Sequence, residues 1–354
     1  MTAAEPGRSL EFSVGLWGMQ SFKHAPRHHV DLYREMVEDA CYAEALGFSH
    51  FWLTEHHFWY DGYCPSLIVG AAAVAARTSR MRVGTSMLLL PLHDPLRVAQ
   101  AAAMADIVSG GRFDLGVAVG YRHAEFDAFG VARSDRGARM EEALDVLHLA
   151  WTTDRFSYHG RFFDYDDVSV TPKPLQRPIP IWIGGWAEPV VRRAARRGLN
   201  LMGPSGDALR LYHDTAREAG RDPGGVTLTV GGDVWVEDDE EAAQAEMTSL
   251  LRYLYHEQLG GWGFFTNPVT GQPVFFDQPA ILNNIVEAAV SAAMIGRPET
   301  VADKLRQRVA MNPLANHVFC RVRFDSVPQV RLHRCMELLA KEVMPQFQTA
   351  AVAQ

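Results

Sequence analysis

The chain has 354 residues, 47% of them hydrophobic and 21% charged, with a formal net charge of −8. That is the make-up of an ordinary globular protein, and neither the charge nor any Lys/Arg cluster supports a nucleic-acid partner. The cysteines, Cys41, Cys64, Cys320 and Cys335, lie far apart without CxxC spacing, which fits reduced thiols in a cytoplasmic protein better than a disulfide framework. The opening MTAAEPGRSL has no apolar core and no segment approaches the ~20 apolar residues of a membrane span, so no signal peptide or membrane anchor is expected.

Short β-branched and aromatic runs alternate with helical periodicity. EFSVGLW (11–17) reads as a first strand, followed by a helix over 30–48 that Gly47 stops. HFWLTE (50–55) is a second strand and 65–79 its helix. MRVGTSMLLL (81–90) leads to a helix at 95–111, with Asp94 as N-cap and Pro95 at the first helical position. RFDLGVAVGY (112–121) and a helix at 136–153 form the fourth unit. IPIWIGG (179–185) with 188–198, and LNLMGPS (199–205) with 207–219, form the fifth and sixth. VTLTVGGDVWV (226–236) and NHVFCRVRF (316–324) complete eight strands, followed by helices at 239–258 and 328–345.

Eight such units predict one α/β domain over residues 1–354, folded as a (β/α)8 TIM barrel. A doubly wound sheet would alternate in the same way, but no strand here runs into a GxGxxG fingerprint. Two insertions break the rhythm. Residues 156–178, before strand five, read as a hairpin and a proline-rich loop. Residues 259–280, after strand seven, carry Gly, Pro and aromatics, among them Trp262, Phe264 and Phe265, and predict a lid.

The chemistry concentrates at TEHHFW (54–59), at the carboxyl end of strand two, where a barrel opens its active-site mouth. Strand alternation puts His56 on one face with Thr54 and Trp52, and Glu55 and His57 on the other. Adjacent histidines on opposite faces chelate a single metal poorly, and no HExxH is present, so no metal is expected there. His56 is a candidate general base or hydrogen-bond donor; a structural His–Glu pair is the competing reading. The small Gly84-Thr85-Ser86 stretch leaves room for a flat ligand or marks a kink. Gly184 and Gly185, before a helix, either let backbone amides approach an anion or make a tight turn. Arg139 is a candidate cation, or part of a solvated helix face.

Taken in order, FWLTEHHFW, VGTSMLLLPLHDPLRVAQAAAMADIVSGGRFDLGVAVGY, RMEEAL, TPKPLQRPIPIWIGGWAEP and GRPETVADKL resemble the bacterial-luciferase-like flavin-dependent monooxygenases. The resemblance implies a (β/α)8 barrel that takes reduced FMN from a separate reductase. With O2 it would oxygenate a small, apolar or aromatic substrate through a C4a-(hydro)peroxyflavin. A homodimer is the expected assembly. Hydride transfer with a reduced deazaflavin stays open, as does a non-catalytic flavin-binding subunit of a heteromer.

Residue by residue, the resemblance puts His56 beside the flavin reaction centre, with Glu55 and His57 as its neighbours. Ser86 and Met87 match a pair joined by a cis peptide beside the isoalloxazine. Gly120 falls on the cofactor side. Gly184, Gly185, Trp186 and Ala187 match the phosphate-binding turn, and Arg139 a phosphate-side arginine. Trp17, Trp59 and Tyr63, with Trp262, Phe264 and Phe265, are expected to line the substrate pocket. The luciferases carry a cysteine and an arginine late in strand four; this chain has Ala118 and Val119, and Arg122 is the nearest replacement cation.

Overall fold

A computed structural model describes residues 9–203, 206–262, 279–324 and 326–348. Its strands, in chain order, are β1 (Glu11–Trp17), β2 (His50–Leu53), β3 (Arg82–Thr85), β4 (Phe113–Val117), β5 (Phe156–His159), β6 (Asp164–Val168), β7 (Ile181–Gly184), β8 (Asn200–Met202), β9 (Thr229–Val236), β10 (Met294–Gly296) and β11 (His317–Arg321). β5 and β6 form a separate antiparallel hairpin, as expected before strand five. The others form one sheet in the order β10-β9-β11-β1-β2-β3-β4-β7-β8, and every pairing in it is parallel.

The sheet curls. A parallel bridge joins Leu201 in β8 to Leu228, just before β9, and the Leu201 N–H donates to the Thr227 carbonyl at 3.0 Å. β9 is long because it serves two neighbours: residues 229–233 pair with β11 and 234–236 with β10. The architecture is therefore an α/β fold built on a curled parallel sheet. Strands buried on both faces explain why β2 and β4 are buried at every position.

Alternation sorts the strand side chains. Phe51 and Leu53 face the main core beneath the helices. His50 and Trp52 face inward, stacked at 5.3 Å, and Trp52 packs with Trp182, Met202, Leu16, Met87 and Phe319.

The helices are α1 (His29–Leu46), α2 (Leu67–Ala75), α3 (Pro95–Ser109), α4 (His123–Ala128), α5 (Arg136–Thr152), α6 (Glu188–Arg197), α7 (Gly206–Glu218), α8 (Glu240–Tyr253), α9 (Pro279–Ala292), α10 (Pro298–Met311) and α11 (Gln329–Leu338). The N-cap of α3 is as read, with Asp94 accepting from the Arg97 N–H; Gly110 closes the helix at φ 66°, short of the expected residue 111. Each expected strand contains an observed one, but the third stops at Thr85 instead of running to residue 90. A cis Ser86–Met87 peptide follows it, and Leu90–Leu92 form a 3-10 turn. α4, α9, β10 and α10 were not anticipated. Residues 254–260 extend α8 as a π-helical segment. Residues 263–278 of the expected lid, with Phe264 and Phe265, lie outside the described residues. No helix among the described residues is long and apolar enough to cross a membrane.

Candidate active site

Beyond β2 the chain passes over the carboxyl end of the sheet with Thr54, Glu55, His56 and His57 all buried. His56 Nδ1 lies 2.8 Å from Glu125 Oε1, and the same oxygen accepts the His57 backbone N–H at 2.9 Å. Glu125 sits on α4 with no exposed surface. Its carboxylate only accepts, so the His56 proton belongs on Nδ1 and the lone pair on Nε2. Tyr121 Oη stands 3.2 Å from that Nε2. Burial, then the neighbouring Tyr63 and Glu125, push the Tyr121 hydroxyl well above its ordinary range, which keeps it a donor.

Aromatic rings enclose the imidazole. Tyr63, Tyr121 and Trp262 have ring centres 5.1, 5.5 and 4.3 Å from that of His56. Trp59 meets Trp262 edge-on at 6.2 Å, and Tyr63 Oη donates to Thr54 Oγ1 at 3.3 Å. Trp59, Tyr63 and Trp262 thus cluster beside His56. Trp17 does not join them. Its indole N–H donates to Asp39 at 2.9 Å and its ring lies 3.9 Å from that of Phe51, between the sheet and α1. The register of β1 against β2 shifts between Val14 and Trp17. A one-residue shift exchanges faces, so Leu16 turns inward and Trp17 outward.

Glu55 points away from His56. Its Oε1 accepts the Leu89 N–H at 3.1 Å and lies 3.1 Å from His57 Nε2 and 3.3 Å from His93 Nε2. Burial pushes this carboxyl up, but the His57 and His93 rings beside it outweigh that and hold it at about 2. Glu55 is therefore ionised at neutral pH. Arg122 braces the loop from outside. Its guanidinium donates to the His57 carbonyl, and to the Phe58 carbonyl at 3.2 Å, and lies over the Trp59 ring at 5.0 Å.

Ser86 and Met87 lie beside the β7–α6 turn. Ser86 Oγ is 3.1 Å from Met202 Sδ. A Cβ on Gly184 would fall 2.5 Å from Met87 Cγ, and one on Gly116 only 1.9 Å from the Thr85 carbonyl oxygen. The missing side chains let Met87 pack onto Gly184 and let the Thr85 carbonyl approach the Gly116 backbone. Gly120 is buried at φ 74°, against Phe126. Gly185 has φ 127° and donates to the Met202 carbonyl at 3.1 Å. Trp186 is 60% exposed. Ala187 precedes α6 and no side chain caps that helix; in its first turn Pro189 carries no N–H and the Val190 N–H donates to the Ala187 carbonyl at 2.9 Å. Arg139 is engaged by the Pro91 carbonyl at 2.9 Å and by the Phe162 and Phe163 rings.

Sequence reasoning missed Glu125, Tyr121 and His93. Tyr121 ends the expected fourth strand and was available to it. Nothing local marks Glu125, whose burial comes from the placement of α4 over the His56 loop.

The luciferase-like monooxygenase profile matches residues 16–313. The chain is 25% identical to the oxygenase component of flavin-dependent trigonelline monooxygenase from Acinetobacter baylyi, over 91% of each protein. It is 31% identical to an F420-dependent glucose-6-phosphate dehydrogenase from Kineococcus radiotolerans, over 60% of this chain and 66% of that protein. Its match to the uncharacterized protein y4vJ of Sinorhizobium fredii, at 34% identity, spans 54% of this chain and 55% of that one. Among solved structures, the oxygenating constituent of 3,6-diketocamphane monooxygenase from Pseudomonas putida, in complex with FMN, superposes with a TM-score of 0.76 at 19% identity, covering 97% of this chain and 100% of that one. By the extent of the profile match, the chain belongs to the luciferase-like monooxygenase family.

Proposed function

We propose that the protein is the oxygenase of a two-component system, oxygenating a small apolar or aromatic compound with O2 and reduced FMN from a separate reductase. The observation that carries this reading is His56: buried, fixed through Nδ1 by Glu125, and roofed by Trp262, Tyr63 and Tyr121. We read the curled sheet as a (β/α)8 barrel closed at the Leu201–Leu228 bridge, with β10 part of the insertion after strand seven.

The residues present fit a flavin. Gly184, lacking a side chain, admits Met87 against the strand end, and we read the Ser86–Met87 peptide as the surface on which a flat ring would rest. For its phosphate we choose the turn Gly184, Gly185, Trp186 and Ala187 at the start of α6, where no side chain caps the helix. Reduced flavin bound there supplies two electrons and the position at which O2 is activated. The chain's own part follows from the geometry. Glu125 holds the imidazole so that His56 Nε2 can take or share a proton with Tyr121 or a substrate group. The Trp59, Tyr63 and Trp262 rings exclude water from that position. Arg122 keeps the loop carrying both histidines in place.

The similarity to F420-dependent enzymes favours a second reading, hydride transfer with a deazaflavin held by the same residues. The two separate in one assay. Purified chain, a generic flavin reductase, FMN and NADH are mixed with a panel of small aromatic and apolar compounds, and O2 uptake and products are followed. The proposal expects an oxygenated product from at least one compound, lost in His56→Ala. Activity only with reduced deazaflavin, without O2 uptake, contradicts it.

A further inference from the structure

The face of the 54–57 segment turned away from His56 holds a second group of donors. Glu55, His57 and His93 each offer one ligand atom, and the three atoms lie within 4.8 Å of one another. We propose that these residues bind a first-row divalent cation, with Zn2+ best suited to one carboxylate and two imidazoles. The sequence reading weighed His56 against His57 as a chelate; the fold instead pairs His57 with His93, from the turn before α3.

Three observations support the site. The first is spacing. Glu55 Oε1 stands 3.1 Å from His57 Nε2 and 3.3 Å from His93 Nε2. Two ligands each ~2.1 Å from one zinc ion stand roughly 3 to 3.5 Å apart. The second is unmet demand. Glu55 is 2% exposed, and its Oε2 and the His57 Nε2 are buried without hydrogen-bond partners. The close approach of His57 Nε2 is to Oε1, which the Leu89 N–H already occupies, and a cation would meet both His57 Nε2 and the carboxylate. The third is access. A groove of about 370 Å³, lined by Ser66, Leu67, Leu92 and Val98 among others, reaches Glu55 and His93. The His93 side chain is 27% exposed, so the remaining coordination positions open to water.

The outer contact is also present, since the Leu89 N–H fixes Glu55 Oε1. The other three-residue group, Glu11, His50 and His317, is less suited. His50 is already engaged by Ser49 at 2.8 Å and Asp114 at 3.3 Å, and Glu11 is 3.7 Å from His317. A cation at Glu55, His57 and His93 would tie the end of β2 to the start of α3. It would fix from behind the peptide that carries His56.

The test uses the full chain stripped with a chelator. Zn2+ is titrated by calorimetry and Co2+ by visible absorption, with melting curves run in parallel to show that each variant folds. The expected result is one saturable equivalent per chain, with cobalt d–d bands, weakened roughly tenfold or more in His93→Ala. His93→Cys should restore binding and add a cobalt–thiolate charge-transfer band absent from the wild type, which a merely structural role for residue 93 would not produce. No saturable equivalent in the wild type overturns the proposal. So does an isotherm unchanged in His93→Ala, or binding by His93→Cys without the thiolate band.

Discussion

Replacing Glu125 with Gln keeps the volume and removes the charge on which His56 is hung. Glu125 Oε1 accepts from His56 Nδ1 at 2.8 Å and from the His57 N–H at 2.9 Å. Its Oε2 is buried without a hydrogen-bond partner. With the amide oxygen in the Oε1 position, both bonds fall from charge-assisted to neutral, at about 0.5–1.5 kcal/mol each. The amide nitrogen then occupies the Oε2 position with no acceptor, at about 1–3 kcal/mol. Relief from burying a charge offsets part of this, so the expected net loss is about 2–3 kcal/mol. Urea unfolding of wild type, E125Q, H56A and the double variant measures it. Because both residues share one bond, the cost of E125Q should shrink by roughly 1 kcal/mol in the H56A background. A loss below about 0.5 kcal/mol, or strict additivity, would refute the assignment of Glu125 as the residue that positions His56.

Gly116→Ala puts a Cβ 1.9 Å from the Thr85 carbonyl and should cost about 3 kcal/mol or more, since backbone must move; an unchanged melting temperature would contradict this. Arg82 makes two 2.7 Å bonds to Asp114, which is 1% exposed, so R82M should cost about 3–5 kcal/mol by stranding that charge. Adding D114N should recover part of that loss in urea unfolding. Burial holds the His317 imidazole down at about 4 from its ordinary 6.5. The unfolded chain therefore binds that proton first: the stability is full above pH 6.5 and falls as pH drops toward 4. The integrated loss is about 3 kcal/mol, and H317Q should flatten that part of the pH–stability curve. Val69 on α2 and Met104 on α3 are 70% and 51% exposed, and we propose them as the contact surface of the homodimer that the resemblance implies. V69D with M104K should lower the mass measured by light scattering from dimer to monomer.

The strands were legible because residues buried on both faces of a parallel sheet must be apolar in continuous runs, as HFWL and FDLGV are. The N-terminus of α3 was legible because Asp94 and Pro95 act through local backbone geometry. β10 was not, since MIG is only three residues long and is a strand because the end of β9 is there to pair with it. TEHHFW announced a site by its place at a strand end, but not the division of labour between its two faces. That division depends on Glu125 and His93, each brought in from a distant element. Trp17 was expected in the pocket because it ends the first strand, and the register shift in β1 turns it outward instead. Arg139 was read as a candidate cation or a solvated helix face; its contacts to the Pro91 carbonyl and the turn of the β5–β6 hairpin are ones no local pattern encodes.

The central claim is that this fold holds reduced FMN beside His56 and uses it with O2. The most direct measurement is an anaerobic titration of the chain with reduced FMN and, separately, with reduced deazaflavin, each complex then mixed with O2 in wild type and His56→Ala. The account predicts saturable binding of reduced FMN and reoxidation slower than that of free reduced FMN, with His56→Ala closer to the free rate. Saturable binding of deazaflavin alone, or reoxidation of bound FMN unaffected by His56, would contradict it.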